Sequence, residues 1–303
     1  MKRNEIVTLI GGSGFIGSNI VKEIASTGVR IKVVSRNASS CGELRVCGYV
    51  GQIALVDADI TNEKDLEKVI KGSDYVINLI GILFEKGKRT FEKMHVELAE
   101  KVAMFCTKHK VKKLIHFSAL GCDKALTSKY AQTKLKGEEV VKSNYKDVTV
   151  LRPSVVFGAG DNFTNLINWM SKISPILPLI GGGHTVFQPI YVGDLATIIA
   201  MVLKDSSKKH IGKTYELGGP TKISFKDVMH EVLKVSKKKR ILLPVPLFIA
   251  NVKAFFLEFM PQPLLTRDQI ELLKYDNVTK KNATLSFISH PAELDVMLNN
   301  YIR

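Results

Sequence analysis

Residues 5–17 read Glu5-Ile6-Val7-Thr8-Leu9-Ile10-Gly11-Gly12-Ser13-Gly14-Phe15-Ile16-Gly17. Residues 5–10 read as a short buried strand. Four glycines then fall within seven residues, and Phe15, Ile16, Ile20, Val21 and Ile24 recur at helical spacing up to a stop at Gly28. A strand that turns through glycines into a helix presents backbone N–H groups and the positive end of the helix dipole to an anion. Two spacings fit, Gly12-x-Gly14-x-x-Gly17 and Gly11-x-x-Gly14-x-x-Gly17. Set between a strand and a helix, such spacing is that of a pyrophosphate cradle.

Outward from this loop the pattern alternates. Strands are expected over 31–34, 53–56, 75–80, 113–117 and 148–151, with helices over 63–70, 90–108 and 130–141. Such alternation predicts an α/β fold, a Rossmann-type doubly wound parallel sheet with helices on both faces. After Gly158 the pattern loosens, and the Pro/Gly-rich run 175–183 reads as an irregular loop. A helix over 194–203 and a strand over 214–217 are expected to pack back on the sheet. The expected division is therefore a dinucleotide domain over 1–156, with 193–218 packed on it, and a smaller mixed C-terminal lobe from 157–192 and 219–303.

The end of the second strand selects the dinucleotide. An NAD(H) site usually carries Asp or Glu there, about 20 residues past the loop, to hold the ribose 2′-hydroxyl. Here the residues are Val34-Ser35-Arg36-Asn37, and no acid follows until Glu43. A carboxylate would repel a 2′-phosphate, whereas a guanidinium clamps one. NADP(H) is expected over NAD(H), with Ser35, Arg36 and Asn37 at its adenosine end.

Three further residues suggest chemistry. Ser118 follows the fifth strand, and strand C-termini form the ligand crevice of such sheets. Tyr130-Ala131-Gln132-Thr133-Lys134 opens a helix, and the four-residue offset places Tyr130 and Lys134 on one face. A lysine ammonium beside a phenol would lower the phenol's pKa and prepare it for proton exchange with a carbonyl or alcohol. Ser118 would bond the same substrate oxygen, and Lys134 would also reach the nicotinamide ribose. The small-molecule substrate itself is not legible; Ile82, Phe84, Phe157, Phe163, Trp169, Phe187 and Tyr191 read equally as an apolar pocket or as core.

Composition narrows the class. The 303 residues carry 44 Lys and Arg against 29 Asp and Glu, a formal net charge of +15. That surplus suits an acidic partner or an anionic membrane surface, or is simply a solvated lysine-rich exterior. No nucleic-acid-binding module is recognisable, so nucleic acid is not expected. The cysteines, Cys41, Cys47, Cys106 and Cys122, lack metal-ligand spacing, and neither a metal site nor a disulfide framework is expected. The apolar run before the glycine loop is too short for a signal peptide or a membrane span, so the chain is expected in the cytoplasm. Residues 247–260 form a helix apolar almost all round, read either as buried in the lobe, the plainer reading, or as covered by a partner or membrane surface. Just upstream stands the basic cluster Lys237-Lys238-Lys239-Arg240. Together these segments are expected to associate peripherally with the inner face of a membrane.

Taken together, the motifs resemble the extended or atypical branch of the short-chain dehydrogenase/reductase superfamily, over about the first 220 residues. The resemblance rests on the glycine loop, Asp59-Ile60, Asn78-Leu79-Ile80-Gly81, the Ser118/Tyr130/Lys134 set and Leu151-Arg152-Pro153-Ser154-Val155-Val156-Phe157-Gly158. It implies that Gly11, Ser13, Gly14, Phe15, Ile16 and Gly17 hold the pyrophosphate and that Asp59 and Ile60 border adenine. Leu79, Ile80 and Gly81 would follow the fourth strand along the cofactor, and Pro153 and Val156 would border the nicotinamide. A narrower resemblance, carried by Asn78 to Phe84, by Gly181-Gly182-Gly183 with Phe187 to Asp194, and by Leu265-Thr266-Arg267-Asp268-Gln269, is to the NADPH-binding accessory subunits of respiratory complex I and their bacterial relatives. It implies a tightly held structural NADPH and partners among respiratory subunits. Where many members carry Asn in the long helix, this chain has His95, either a proton relay or a satisfied buried histidine. Three functions stay open: an accessory or assembly factor of the respiratory NADH:quinone oxidoreductase or of quinone metabolism; an NADP-dependent reductase or epimerase on a sugar-nucleotide, sterol-like or quinone-like substrate; and an NADPH-sensing module.

Overall fold

The computed structural model describes residues 1–302. In chain order it contains β1 (Ile6–Ile10), α1 (Phe15–Ala25), β2 (Arg30–Ser35), β3 (Ile53–Asp57), α2 (Glu63–Ile70), β4 (Tyr75–Asn78), α3 (Leu98–Lys108), β5 (Lys113–Phe117), α4 (Lys129–Asn144), β6 (Thr149–Pro153), β7 (Val156–Phe157) and α5 (Thr164–Ile173). There follow β8 (Ile176–Ile180), β9 (Val186–Phe187), β10 (Ile190–Tyr191), α6 (Val192–Lys204), β11 (Thr214–Leu217), β12 (Ile223–Ser224), α7 (Phe225–Val235), β13 (Ile241–Val245), α8 (Leu247–Leu257), α9 (Arg267–Leu272), α10 (Thr284–Phe287) and α11 (Leu294–Leu298). The α/β alternation read from the sequence is the one observed, with ends differing by a few residues.

Seven strands form one sheet in the order β11-β6-β5-β4-β1-β2-β3, and the pairings from β6 to β3 are parallel. Ile10 pairs with Val34 on one side and Asn78 on the other. The C-termini of β1, β2 and β4 therefore end level, so the glycine loop, Ser35 and the segment after Asn78 leave the sheet side by side. The strand order reverses at β1, which makes this edge the ligand crevice of an open α/β sheet.

The chain divides into two compact units. The first comprises Met1–Ser118, Thr133–Arg152 and Val192–Tyr215; the second comprises Ala119–Gln132, Pro153–Tyr191 and the chain from Glu216 onward. Residues 119–132, grouped by sequence with the dinucleotide domain, thus belong to the second unit. In the first unit α1 buries Ile20, Val21 and Ile24 and packs against α6, which buries Leu195, Ile198, Ile199 and Val202. The second unit has its own core, built on Phe157, Ile167, Leu177, Val228, Val232 and Leu298.

Three expectations need correction. Residues 176–180 are not irregular: β8 pairs in parallel with β13, Ile176 with Ile241 through Ile180 with Val245. The prolines and glycines masked a strand whose partner lies some 65 residues away. The helix expected over 90–108 is interrupted, because Glu92–Glu97 form a π-helical turn before α3 begins. Burial of the apolar helix also fails. Of α8 only Ala250 and Ala254 are buried, while Phe248, Val252, Phe255 and Phe256 face solvent. No described helix is long and apolar enough to cross a membrane.

Candidate functional site: a dinucleotide cavity and a buried network behind it

A cavity of about 680 Å³ opens at the strand ends of the first unit. Its lining includes Gly11, Ser13, Gly14, Ser35, Arg36, Asp59, Ile60, Leu79, Ile80 and Gly81. These ten expected cofactor residues come from four loops and meet in one place. Phe15, Ile16 and Gly17 form the first turn of α1 behind the loop, and Asn37 follows Arg36 at the end of β2. No side chain caps α1, and its first turn holds no acid, so its N-terminal N–H groups are left for an anion. At Gly17 an added Cβ would lie 2.6 Å from Gly12 backbone atoms. The helix seats directly on the loop, which only glycine permits. Ser13 Oγ donates to Ser35 Oγ at 3.0 Å, joining the loop to the end of β2. These features fit a dinucleotide.

The cavity is markedly cationic. Lys88, Arg89, Lys93 and Lys101 line it with Arg36, against the carboxylates of Asp59 and Glu97. Burial, and then the Arg36 charge, push the Arg89 guanidinium below its usual pKa. Asp59 is turned onto Thr61, accepting from its N–H at 3.0 Å and its hydroxyl at 2.7 Å. These hydrogen bonds hold the Asp59 carboxyl below its ordinary value.

Behind the cavity lies a buried polar network. Lys134 donates to the carbonyls of Phe117 at 2.9 Å and Ile80 at 3.5 Å, and its Nζ would meet a Cβ at Gly81 at 3.3 Å. His95 accepts from the Ile82 N–H through Nε2 at 3.1 Å, so Nδ1 carries the proton and donates to Thr133 Oγ1 at 3.0 Å. Burial, with Lys134 and His116 nearby, pushes this imidazole down to about 2. His95 is therefore the satisfied, neutral histidine of the two alternatives. Asn78 Nδ2 donates to His116 Nδ1 at 3.3 Å, and its Oδ1 accepts from Ile80 N–H. Burial and Lys134 push His116 down to about 3. Glu138, 1% exposed, accepts from Arg152 through both oxygens at 2.7 and 2.9 Å, and also from the Ser118 hydroxyl. An added Cβ at Gly137 would run into the His95 carbonyl oxygen, so α4 and the π-helical turn touch backbone to backbone. Such π turns frequently mark functional sites.

Tyr130 lies in the second unit, one turn before Lys134 along α4. It lines a cavity of about 200 Å³ with Leu120, Pro153, Phe187, Leu272 and Asn277. Burial pushes its phenol above the ordinary range, with Cys122 and Asp268 adding to the effect. Of the aromatic residues left open, Phe163 and Phe187 pack ring against ring at a tilt and Trp169 is half exposed.

Residues 7–218 match the NAD-dependent epimerase/dehydratase family. The chain belongs to that family. Among epimerase/dehydratase relatives, the mitochondrial NADH dehydrogenase (ubiquinone) 1 alpha subcomplex subunit 9 of Arabidopsis thaliana is 32% identical over 290 residues, spanning 92% of this chain and 72% of that protein. The mouse subunit of the same name is 28% identical, spanning 90% and 72%. A ceramide reductase of Caulobacter vibrioides is 25% identical over 191 residues, spanning 63% and 58%. Among solved structures, UDP-glucuronic acid 4-epimerase from Bacillus cereus with UDP-glucuronic acid and NAD superposes with a TM-score of 0.73 at 19% identity, covering 98% of both chains. The PbgP3 protein of Burkholderia pseudomallei gives 0.77 at 17% identity, covering 98% and 95%. These two show the shared fold. The ligand class of this epimerase/dehydratase chain is a nicotinamide dinucleotide.

Two residues escaped the sequence reading. Arg89 ends the basic run Lys86-Gly87-Lys88-Arg89, which turns back through a Lys86–Arg89 bridge, and it lines the cavity. Asp268 accepts from Ser128 Oγ at 2.8 Å and from the N–H groups of Lys129 at 2.7 Å and Tyr130 at 3.2 Å. It caps α4 from about 140 residues away. Asp268 was quoted as part of a family motif, but nothing local revealed what it caps.

Proposed function

We propose that the protein is an NADP(H)-binding accessory or assembly subunit of a respiratory NADH:quinone oxidoreductase, working at the inner, cytoplasmic face of the membrane that carries the complex. The observation that carries this reading is similarity over nine-tenths of the chain to subunits of that enzyme, at 28–32% identity. The preference for NADP(H) is supported by Arg36, which follows the second strand where an NAD(H) site usually carries a carboxylate, and by Arg89 lining the same cavity. Native purification with identification of the bound nucleotide and the co-purifying proteins tests the assignment. NADP(H) and respiratory subunits are expected; NAD(H) alone, with no such subunit, would refute it.

Cofactor choice has a sharper test. NADPH is expected to bind more tightly than NADH, and Arg36→Ala to remove most of the difference. A hydrogen bond to a charged group contributes about 1.5–3 kcal/mol, or roughly ten-fold and upward in affinity. Adding Arg89→Ala should weaken NADPH further and leave NADH nearly unchanged. Calorimetric titration of the two nucleotides decides it, and equal affinities in the unaltered protein would sink the assignment.

A second reading, an active reductase, is favoured by Tyr130 lining a cavity formed largely by apolar side chains. Bound NADPH would supply hydride to a substrate carbonyl. The neutral Tyr130 phenol is the form able to give the proton, Ser118 would bond the same oxygen, and Lys134 would orient the ribose. Pro153 and Val156 would border the nicotinamide. If any carbonyl substrate is turned over, Tyr130→Phe should largely abolish turnover with NADPH affinity nearly unchanged, while Lys134→Ala should weaken both. Full activity in Tyr130→Phe would remove the tyrosine from the reaction.

A further inference from the structure

α8 is apolar almost all round, and it is its small side that is covered. Its small residues Ala250 and Ala254 face the core, packed with Val245 and Ile270. Its large ones face solvent: Phe248, Val252, Phe255 and Phe256 stand at i, i+4, i+7 and i+8, one helical stripe. Phe248 is 70% exposed and Phe256 66%, and Phe259, in the turn that follows, is 76% exposed. A soluble helix ordinarily hides such a stripe. The neighbouring ribbon continues the pattern. Ile241 and Leu243 of β13 are exposed, and their register partners on β8, Ile176 and Pro178, are exposed on the same face. No polar side chain of β8 or β13 interrupts this surface.

Charge indicates what covers it. Residues 237–260 hold five cations, Lys237, Lys238, Lys239, Arg240 and Lys253, and one acid, Glu258. Glu258 is already paired with Arg267, at 2.9 Å. Lys237, Lys239 and Lys253 are exposed. An exposed aromatic row in a segment with a surplus of exposed lysines is complementary to a fluid apolar layer under an anionic surface. A lipid interior conforms to any exposed row of rings, whereas a protein partner would need a matching groove and acids to meet the lysines.

We infer that the α8 stripe and the β8–β13 ribbon form a docking surface for an anionic lipid bilayer, with Phe248, Phe256 and Phe259 entering the acyl boundary and Lys237, Lys239 and Lys253 meeting the headgroups. Contact with lipid is direct. The surface lies wholly in the second unit and needs neither a bound nucleotide nor a respiratory partner, so it stands apart from the function proposed above.

The test is co-sedimentation of the full chain with vesicles of phosphatidylcholine alone or mixed with phosphatidylglycerol, at low and high salt. Binding is expected only to the anionic vesicles, with partial release in salt, since screening shortens the reach of the lysines. Lys237→Gln and Lys239→Gln should each weaken binding roughly five-fold. Phe248→Ser with Phe256→Ser should abolish the salt-resistant fraction, with an unchanged denaturant midpoint as the check on folding. Phe256→Trp in a Trp169→Phe background should be quenched by lipids brominated along the acyl chain. Equal binding to neutral vesicles, no loss in the phenylalanine variant, or absence of quenching would overturn the inference. So would self-association that protects α8 and leaves no vesicle binding.

Discussion

Acidification from pH 7 to pH 5 is expected to cost the folded protein about 4 kcal/mol through two histidines alone. His95 and His116 are buried and neutral, with pKa values pushed down to about 2 and about 3. In the unfolded chain each titrates near the ordinary value of about 6.5. Both groups therefore contribute fully above that pH. As pH falls below it, the unfolded state takes up protons that the folded state refuses, and each histidine removes up to about 1.4 kcal/mol per pH unit. The loss continues until the folded-state values are reached. Denaturant midpoints at pH 7 and pH 5 measure it. Asn in place of His95 can still accept from the Ile82 N–H, so His95→Asn should remove about half of the pH-dependent loss. An unchanged slope in that variant would mean that His95 does not resist protonation.

The second large effect lies two turns further along α4 from Tyr130. Glu138→Ala is expected to destabilise the protein by about 3–5 kcal/mol, because it leaves the Arg152 guanidinium buried without its bidentate partner. Burial alone would raise the Glu138 pKa, but the hydrogen bonds from Arg152 and Ser118 outweigh it and hold the carboxyl below its usual range. This contribution is present above the unfolded carboxylate value and fades only as pH falls through the lower folded one. The cost of Glu138→Ala should therefore be as large at pH 5 as at pH 7. Replacing both partners with leucine should recover much of the stability, since the penalty comes from the orphaned charge. A double variant no more stable than Glu138→Ala would count against this account.

What the sequence made legible follows from periodicity. Parallel strands buried on both faces read as short apolar runs, and the helices between them carry one apolar stripe, so β1 to β6 and α1 to α4 stand out locally. The glycine loop and Arg36 were legible because their chemistry depends on adjacent residues. The rest depends on partners distant in the chain. β8 is a strand only because β13 pairs with it, and its prolines argue the other way. Arg89 becomes a cavity residue only through a turn that folds back. Asp268 caps a helix that begins at residue 129. The apolar character of α8 was plain, but hydropathy cannot say which side is covered, and burial was the wrong choice because alanines rather than phenylalanines face the core.

The sheet is completed out of order. β6 acquires its outer neighbour only from β11, and α1 acquires its packing partner only from α6, both supplied after a long excursion into the second unit. A chain emerging from the ribosome must therefore reach about residue 217 before β6 is paired on both sides and the α1 stripe is covered. Until then β6 is a bare edge, able to pair with the strands of other nascent chains. Fragments that end between 153 and 191 contain the whole glycine loop, Arg36 and Arg89, yet leave that edge and that stripe unprotected. Such fragments should be recovered as aggregates rather than as small cofactor-binding domains, and a premature stop in this interval would act as a loss of solubility before it acts as a loss of cofactor.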